Sequence, residues 1–335
     1  MGADRDPARR AARKQAWSWI IGGGVAILSL WLLTRELDWS QVGDALRGVH
    51  YGWLLLGVAA IVGTFFTRAW RWQALLWQAR LPLLPTLTAL LVGQVVSLAL
   101  PMMRSGDVAR SVWIAPQRGT NAPEALGSVV LEKVWDLLAL LVCGLLLLAW
   151  MPLPLWFSQS TWGTALILAA GTAVLWAGLR WQEVLLRWVA RLLAFLPVGW
   201  DQALMPKLRS LAQGVASLKD SRASMQALAW TLLTWGLGAL ANWAVLMAFG
   251  ISSPPAALLL LSGLMVGSAV VPVPGRLGVY EGVSVVCLAL FGVPRDIALA
   301  VGLALRVVVM GPPLIGAGAL ALVSQALVRR GNESV

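Results

Sequence analysis

The stretch Val271-Pro-Val-Pro-Gly-Arg-Leu-Gly-Val-Tyr-Glu281 lies between two apolar runs, Pro255–Val270 and Val283–Gly292. Neither run is long enough to cross a bilayer comfortably, since a spanning helix takes about 20 apolar residues. Pro272 and Pro274 cannot sit inside a regular helix, because each lacks an N–H and clashes with the preceding turn. The pattern therefore predicts a half-helix entering the membrane, a turn near mid-depth and a return. Pro272, Pro274, Gly275 and Gly278 form that turn. Irregular backbone at such depth survives only when buried in protein or lining a wet cavity. Arg276, Tyr280 and Glu281 are thus candidate site residues, because charge in hydrocarbon demands a partner or marks a pathway. A loop at the membrane surface is the alternative, and the tight apolar flanks weigh against it.

Composition extends this reading to the whole chain. Of 335 residues, 59% are hydrophobic and 12% charged, against about 25% charged in soluble domains. The fold expected is an all-α polytopic membrane protein. The net charge of +11 sits beside hydrophobic segments, as in positive-inside topologies. It lacks the aromatic–basic interleaving of single-strand binders, so no nucleic-acid partner is expected. Cys143 and Cys287 fall in apolar runs with no CxxC partner and read as free thiols. A single histidine, His50, excludes a histidine metal cluster.

Taken in order, the basic tail 1–16 precedes a first span at about Trp17–Thr34, with no cleavage site after it. Residues 35–52 read as a polar connection, and a second span covers about Trp53–Trp77. Arg68 and Arg71 near its end read as side chains snorkelling to the headgroups. The short run Thr86–Leu100 then meets Pro101-Met-Met-Arg-Ser-Gly-Asp-Val-Ala-Arg110, a second broken hairpin. It offers Arg104, Asp107 and Arg110 as site candidates and Pro101 and Gly106 as turn residues. A third span, about Glu124–Trp150, carries Glu132, Lys133 and Asp136. Glu132 and Asp136 share a helix face and need a counter-charge, a proton or water. A structural lock and a transport pathway are both open for them. A fourth span follows at Thr161–Leu179, then an amphipathic cytoplasmic segment at 180–224. The fifth span covers about Met225–Phe249, with Asn242 facing inward, and the sixth about Ile297–Val323, with Arg306 and a kink at Pro312-Pro313.

The two hairpins correspond. Arg104-x-Gly106 and Arg276-x-Gly278 are offset by 172 (276 − 104), Pro123 and Pro294 by 171, and Lys133 and Arg306 by 173. We read these as two units of broken hairpin plus span, at 86–150 and 255–326, inserted from opposite sides within one membrane domain covering 1–335. The architecture expected is about six spanning helices plus two re-entrant hairpins in an inverted repeat, which places a binding site near the midplane. The charges should form one connected network, with Glu281 paired to Arg306 and Asp107 or Glu132 paired within the first unit. With both termini inside, only Arg35, Arg47 and Arg295 fall outside.

Three strings then carry a family resemblance: Leu100-Pro-x-x-Arg-x-Gly-Asp-x-x-Arg110, Leu131-Glu-Lys-Val-Trp-Asp136 and Pro274-Gly-Arg-Leu-Gly-Val-Tyr-Glu281. In this order they resemble the lysylphosphatidylglycerol synthase transmembrane region family, whose strings read LP-x-R-x-GE-x-x-R, ER-x-x-D and PGG-x-G-x-x-E. Here Asp107 replaces glutamate, Lys133 replaces arginine and Arg276 replaces the second glycine. The first string is also one residue longer between proline and arginine. The resemblance implies a flippase-like domain in the bacterial inner membrane that moves a phospholipid or lipid-linked anionic headgroup between leaflets. The chain ends at Val335, just after the last apolar run, so the soluble synthase domain of two-domain members is expected to be lacking. A separate lipid-modifying enzyme would then be a partner.

Two other classes remain open on the sequence: a proton-coupled transporter of a small anion, and a non-transporting subunit of a lipid-modifying enzyme. No nucleophile–base pair, nucleotide loop or metal set is visible, so neither catalysis nor a cofactor is expected. The topology is checked at the uncharged connection 151–160. A cysteine placed at Ser158 is expected to react with an impermeant thiol reagent from outside, and labelling only from the cytoplasmic side would overturn the arrangement.

Overall fold

A computed structural model of the chain describes residues 39–76, 79–100, 105–116, 120–150, 220–270 and 276–333, with the single positions 206 and 210. These residues form nine helices and no strand: α1 Trp39–Arg47, α2 Tyr51–Leu75, α3 Leu83–Ala99, α4 Ser105–Ile114, α5 Ala122–Trp150, α6 Ser221–Ala248, α7 Pro254–Val270, α8 Val279–Ala289 and α9 Arg295–Glu333. The expected first and fourth spans, most of the amphipathic segment, and Pro101, Arg104, Pro272, Pro274 and Gly275 lie outside the described residues.

Among the described residues, three helical stretches are long and apolar enough to cross a membrane: Tyr51–Leu75, Ser221–Ala248 and Arg295–Leu320. Helices α3 and α8 are apolar but shorter, as is Pro254–Ala269 of α7. Helix α5 has 29 residues and confines its charges, Glu124, Glu132, Lys133 and Asp136, to its first half. Large apolar side chains face outward along the bundle, with Leu55 69% and Ile315 74% exposed. Such a surface suits hydrocarbon as the surrounding solvent.

One expectation is corrected here. The connection at 35–52 contains α1, whose Val42 is buried against Leu299 and Ala300 of α9. Short amphipathic periodicity inside a polar stretch produced that helix. Helix α9 continues through Pro312 and Pro313. Each proline removes one backbone donor, a loss that a packed membrane bundle tolerates.

The helices keep the sequence offset. Their starts differ by 170 for α2 and α6, 171 for α3 and α7, 174 for α4 and α8, and 173 for α5 and α9. The contacts follow the same rule. Helix α3 packs on α4 and α7 on α8, α4 packs on α5 and α8 on α9, and α2 packs on α3 and α6 on α7. Across the halves, α3 packs on α9 while α7 packs on α5. Helix α2 meets α5 and α9, and α6 meets α9 and α5. The α2–α6 contact is its own counterpart and the most extensive in the bundle.

Glycines set the tightest approaches. A Cβ on Gly106 of α4 would run into the carbonyl oxygen of Gly93 and the hydroxyl of Ser97 on α3. A Cβ on Gly302 of α9 would lie 2.8 Å from Cα of Glu281 on α8. On α7, a Cβ on Gly263 would lie 3.0 Å from Sγ of Cys287. Both short pairs, α3–α4 and α7–α8, are therefore joined nearly backbone to backbone or backbone to side chain. Gly106→Ala is expected to lower stability by about 1–3 kcal/mol or more. Gly236→Ala, which meets nothing within 4 Å, is expected to leave it unchanged or slightly raised. Thermal unfolding of the two variants in detergent is the measurement.

Candidate functional site

Helix α5 places Ser128, Glu132 and Asp136 at intervals of four, so all three lie along one stripe. That stripe faces the end of α2. The indole N–H of Trp72 donates to Oγ of Ser128 at 2.8 Å. The Arg71 guanidinium donates to Oδ1 of Asp136 at 2.7 Å and to Oε1 of Glu132 at 2.9 Å. The other Glu132 oxygen, Oε2, accepts from Arg110 of α4 at 2.9 Å. Arg110 also donates to Oδ1 of Asp107 at 2.9 Å, and its guanidinium lies 4.9 Å from the Trp72 ring centroid. Lys133 stands 3.9 Å from Oδ2 of Asp107. A continuous chain of charge thus links α2, α4 and α5, with three carboxylates facing three cations.

Burial makes the pairing obligatory. Arg71 and Glu132 are each 1% exposed and Arg110 is 2% exposed. An unpaired charge at such positions would carry most of its desolvation cost. Thr231 and Trp235 of α6 add polar contacts from the other side, the indole N–H of Trp235 donating to Asp136 at 3.3 Å.

A second, smaller group sits between α8 and α9. Arg306 donates to Oε2 of Glu281 at 2.7 Å and to the carbonyl oxygen of Arg276 at 3.1 Å. Glu281 is 1% exposed. The turn that leads into α8 brings these groups together: Gly278 takes φ 80° as the N-cap and Arg276 takes φ 52°. The left-handed region suits glycine, whereas a residue with a Cβ gives up about 1–2 kcal/mol there. The Glu281–Arg306 pair is as expected. Among the described residues the ion pairs form two separate groups, Glu281 pairing with Arg306 of α9 and Glu132 with Arg71 and Arg110.

Both groups border one cavity of about 280 Å³ between the two sets of helices. Arg68 and Arg71 of α2, Lys133 and Asp136 of α5, and Arg276 and Tyr280 line it. Asn242 also reaches it from α6, as its inward placement predicted. Beside this polar cavity lies an apolar groove of about 260 Å³ between α2, α3 and α9, and the Phe65 ring lines both. Asp107, Arg110, Glu132, Glu281 and Arg306 stand behind the cavity wall, holding the groups that face it.

The two arginines of α2 were misread from sequence. Arg71 does not snorkel; it is the junction of the larger charge chain. Arg68 is half-buried, lines the cavity and stands 5.8 Å from the Phe65 ring centroid. The signal was present in α5, whose two carboxylates on one face required a cation, and α2 was an adjacent span carrying two.

A helical bundle with an apolar exterior, buried paired charges and a cation-lined cavity defines an integral membrane protein. The chain belongs to the lysylphosphatidylglycerol synthase TM region family, whose pattern matches residues 19–317. It is similar to a UPF0104 membrane protein of Methanothermobacter thermautotrophicus, 24% identical over 299 residues, covering 84% of this chain and 87% of that protein. No solved structure matches the chain.

Replacing Arg71 with glutamine leaves Asp136 without its cation and Glu132 with Arg110 alone. The expected loss of stability is about 3–5 kcal/mol. Arg47→Gln, which removes an exposed pair with Asp44, is expected to leave thermal unfolding unchanged. Comparing the two melting temperatures in one detergent checks this.

Proposed function

We propose that the protein is a lipid translocator of the flippase type, carrying a phospholipid or lipid-linked anionic headgroup between leaflets without chemical conversion. The observation that carries this reading is the cavity itself. Four cationic side chains and one carboxylate line a space inside a bundle that is otherwise apolar, and guanidinium forks match phosphate oxygens. The adjoining apolar groove supplies a wall against which an acyl chain can lie while the headgroup enters the cavity. A transporter of a small soluble anion would have no use for that groove.

The repeat supports the same reading. In this proposal α3–α4 and α7–α8 are re-entrant pairs, and the exchange of α2–α5 with α6–α9 is an inverted repeat within a single membrane domain. The exchange-invariant contact pattern favours a duplicated unit, and binding sites in such folds lie between the halves. Six spans, both termini cytoplasmic, and residence in a bacterial inner membrane complete the proposed arrangement. A soluble lipid-modifying enzyme is the proposed source or consumer of the lipid.

Purified protein reconstituted into vesicles with a panel of fluorescent lipid headgroups tests the proposal directly. Headgroup-dependent loss of the inner-leaflet label is expected, and no movement of any anionic lipid would overturn it. The Glu281–Arg306 pair then separates support from substrate contact. Each single charge reversal is expected to reduce protein level. The double variant Glu281→Arg with Arg306→Glu is expected to restore level and transport together if the pair acts as a lock. Restored level with transport still lost would place the pair on the substrate's path.

A further inference from the structure

We infer that the cavity selects a phosphate monoester, a dianion, over the singly charged phosphate diester of ordinary phospholipids. The inference rests on the headgroup-site reading above and narrows it. Its basis is a charge count that the geometry makes possible. Asp107, Glu132 and Asp136 are matched by Arg71, Arg110 and Lys133, and Glu281 is matched by Arg306. Two cations at the cavity remain, Arg68 from one half and Arg276 from the other. Among the described residues, no carboxylate forms an ion pair within 4.0 Å of either.

Two further features point the surplus at a ligand. Arg276 occupies a left-handed backbone position, φ 52°, which glycine would adopt without strain. An arginine held there brings a guanidinium to the cavity at a conformational cost, a pattern associated with function. The cavity, about 280 Å³, is at the small end of ligand sites, which run from about 300 Å³. It suits a headgroup rather than a whole lipid. A surplus of two positive charges on a cavity set within an apolar bundle favours a compact dianion, because charges attract more strongly near a low-dielectric interior than in bulk water. It disfavours a headgroup that carries its own cation.

Isothermal titration of the full chain in detergent micelles tests this with three probes: dihexanoyl phosphatidate, dihexanoyl phosphatidylglycerol and inorganic phosphate. Phosphatidate is expected to bind at least about tenfold more tightly than phosphatidylglycerol. Arg276→Gly and Arg68→Gln are each expected to bring the ratio close to one. Arg276→Gly also relaxes the backbone, so its melting temperature is expected to hold or rise, which separates lost binding from lost folding. Inorganic phosphate distinguishes the sources of the monoester: much weaker binding than phosphatidate identifies a lipid, and comparable binding identifies the free anion. Equal affinity for the two lipids, absence of binding by all three probes, or an unchanged ratio in both variants would overturn the inference. Transport of phosphatidylglycerol without this selectivity would overturn the inference and leave the translocator reading standing. Selective monoester binding without movement of any lipid would do the reverse.

Discussion

The carboxylate of Glu132 is bridged by Arg71 on one oxygen and Arg110 on the other, and the packing of α2, α4 and α5 around it depends on that bridge. In an apolar bundle little water is at hand to solvate a lone charge, so an ion buried away from the cavity must find its partner within the protein. The bridge fixes the end of α2 against α5 and holds α4 beside both. It also determines which groups remain to face the cavity. Lys133 and Asp136 are its outer members, and both are cavity-lining. The same electrostatic requirement therefore shapes the scaffold and the charge available to a ligand.

Glycine geometry complements this electrostatics. Gly93 and Gly106 let α3 and α4 approach nearly backbone to backbone, and Gly302 does the same for α8 and α9. Close approach shortens the reach required of each side chain, so that Arg306 can contact both Glu281 and the carbonyl of Arg276. Packing of small residues is a main source of association between helices in lipid, where burial of apolar area contributes little.

Much of the helical order was legible in the sequence because apolar length is a direct signal. The expected bounds Trp53–Trp77, Glu124–Trp150 and Met225–Phe249 differ by a few residues from those of α2, α5 and α6. The Glu281–Arg306 pair was legible because a residue one turn after a break faces back toward the helix that follows. Arg71 was not, because a cation near the end of an apolar run has two physical outcomes, headgroup contact or internal pairing. The outcome depends on which helix packs there, and that is a long-range property.

The helix contacts are the same in both halves, yet the ties between charged groups are not. Three helices of the first half, α2, α4 and α5, are fastened by a chain of six charges. In the second half, among the described residues, the buried carboxylate Glu281 is tied to Arg306, joining α8 to α9. The positions that would repeat Glu132 and Asp136 at the α5–α9 offset of 173 are Leu305 and Val309. In mechanical terms the first half is a frame and the second a leaf hung on it. A displacement that carried α8 and α9 together would leave both groups of ion pairs intact, whereas one that parted α2 from α5 would break the chain at Arg71.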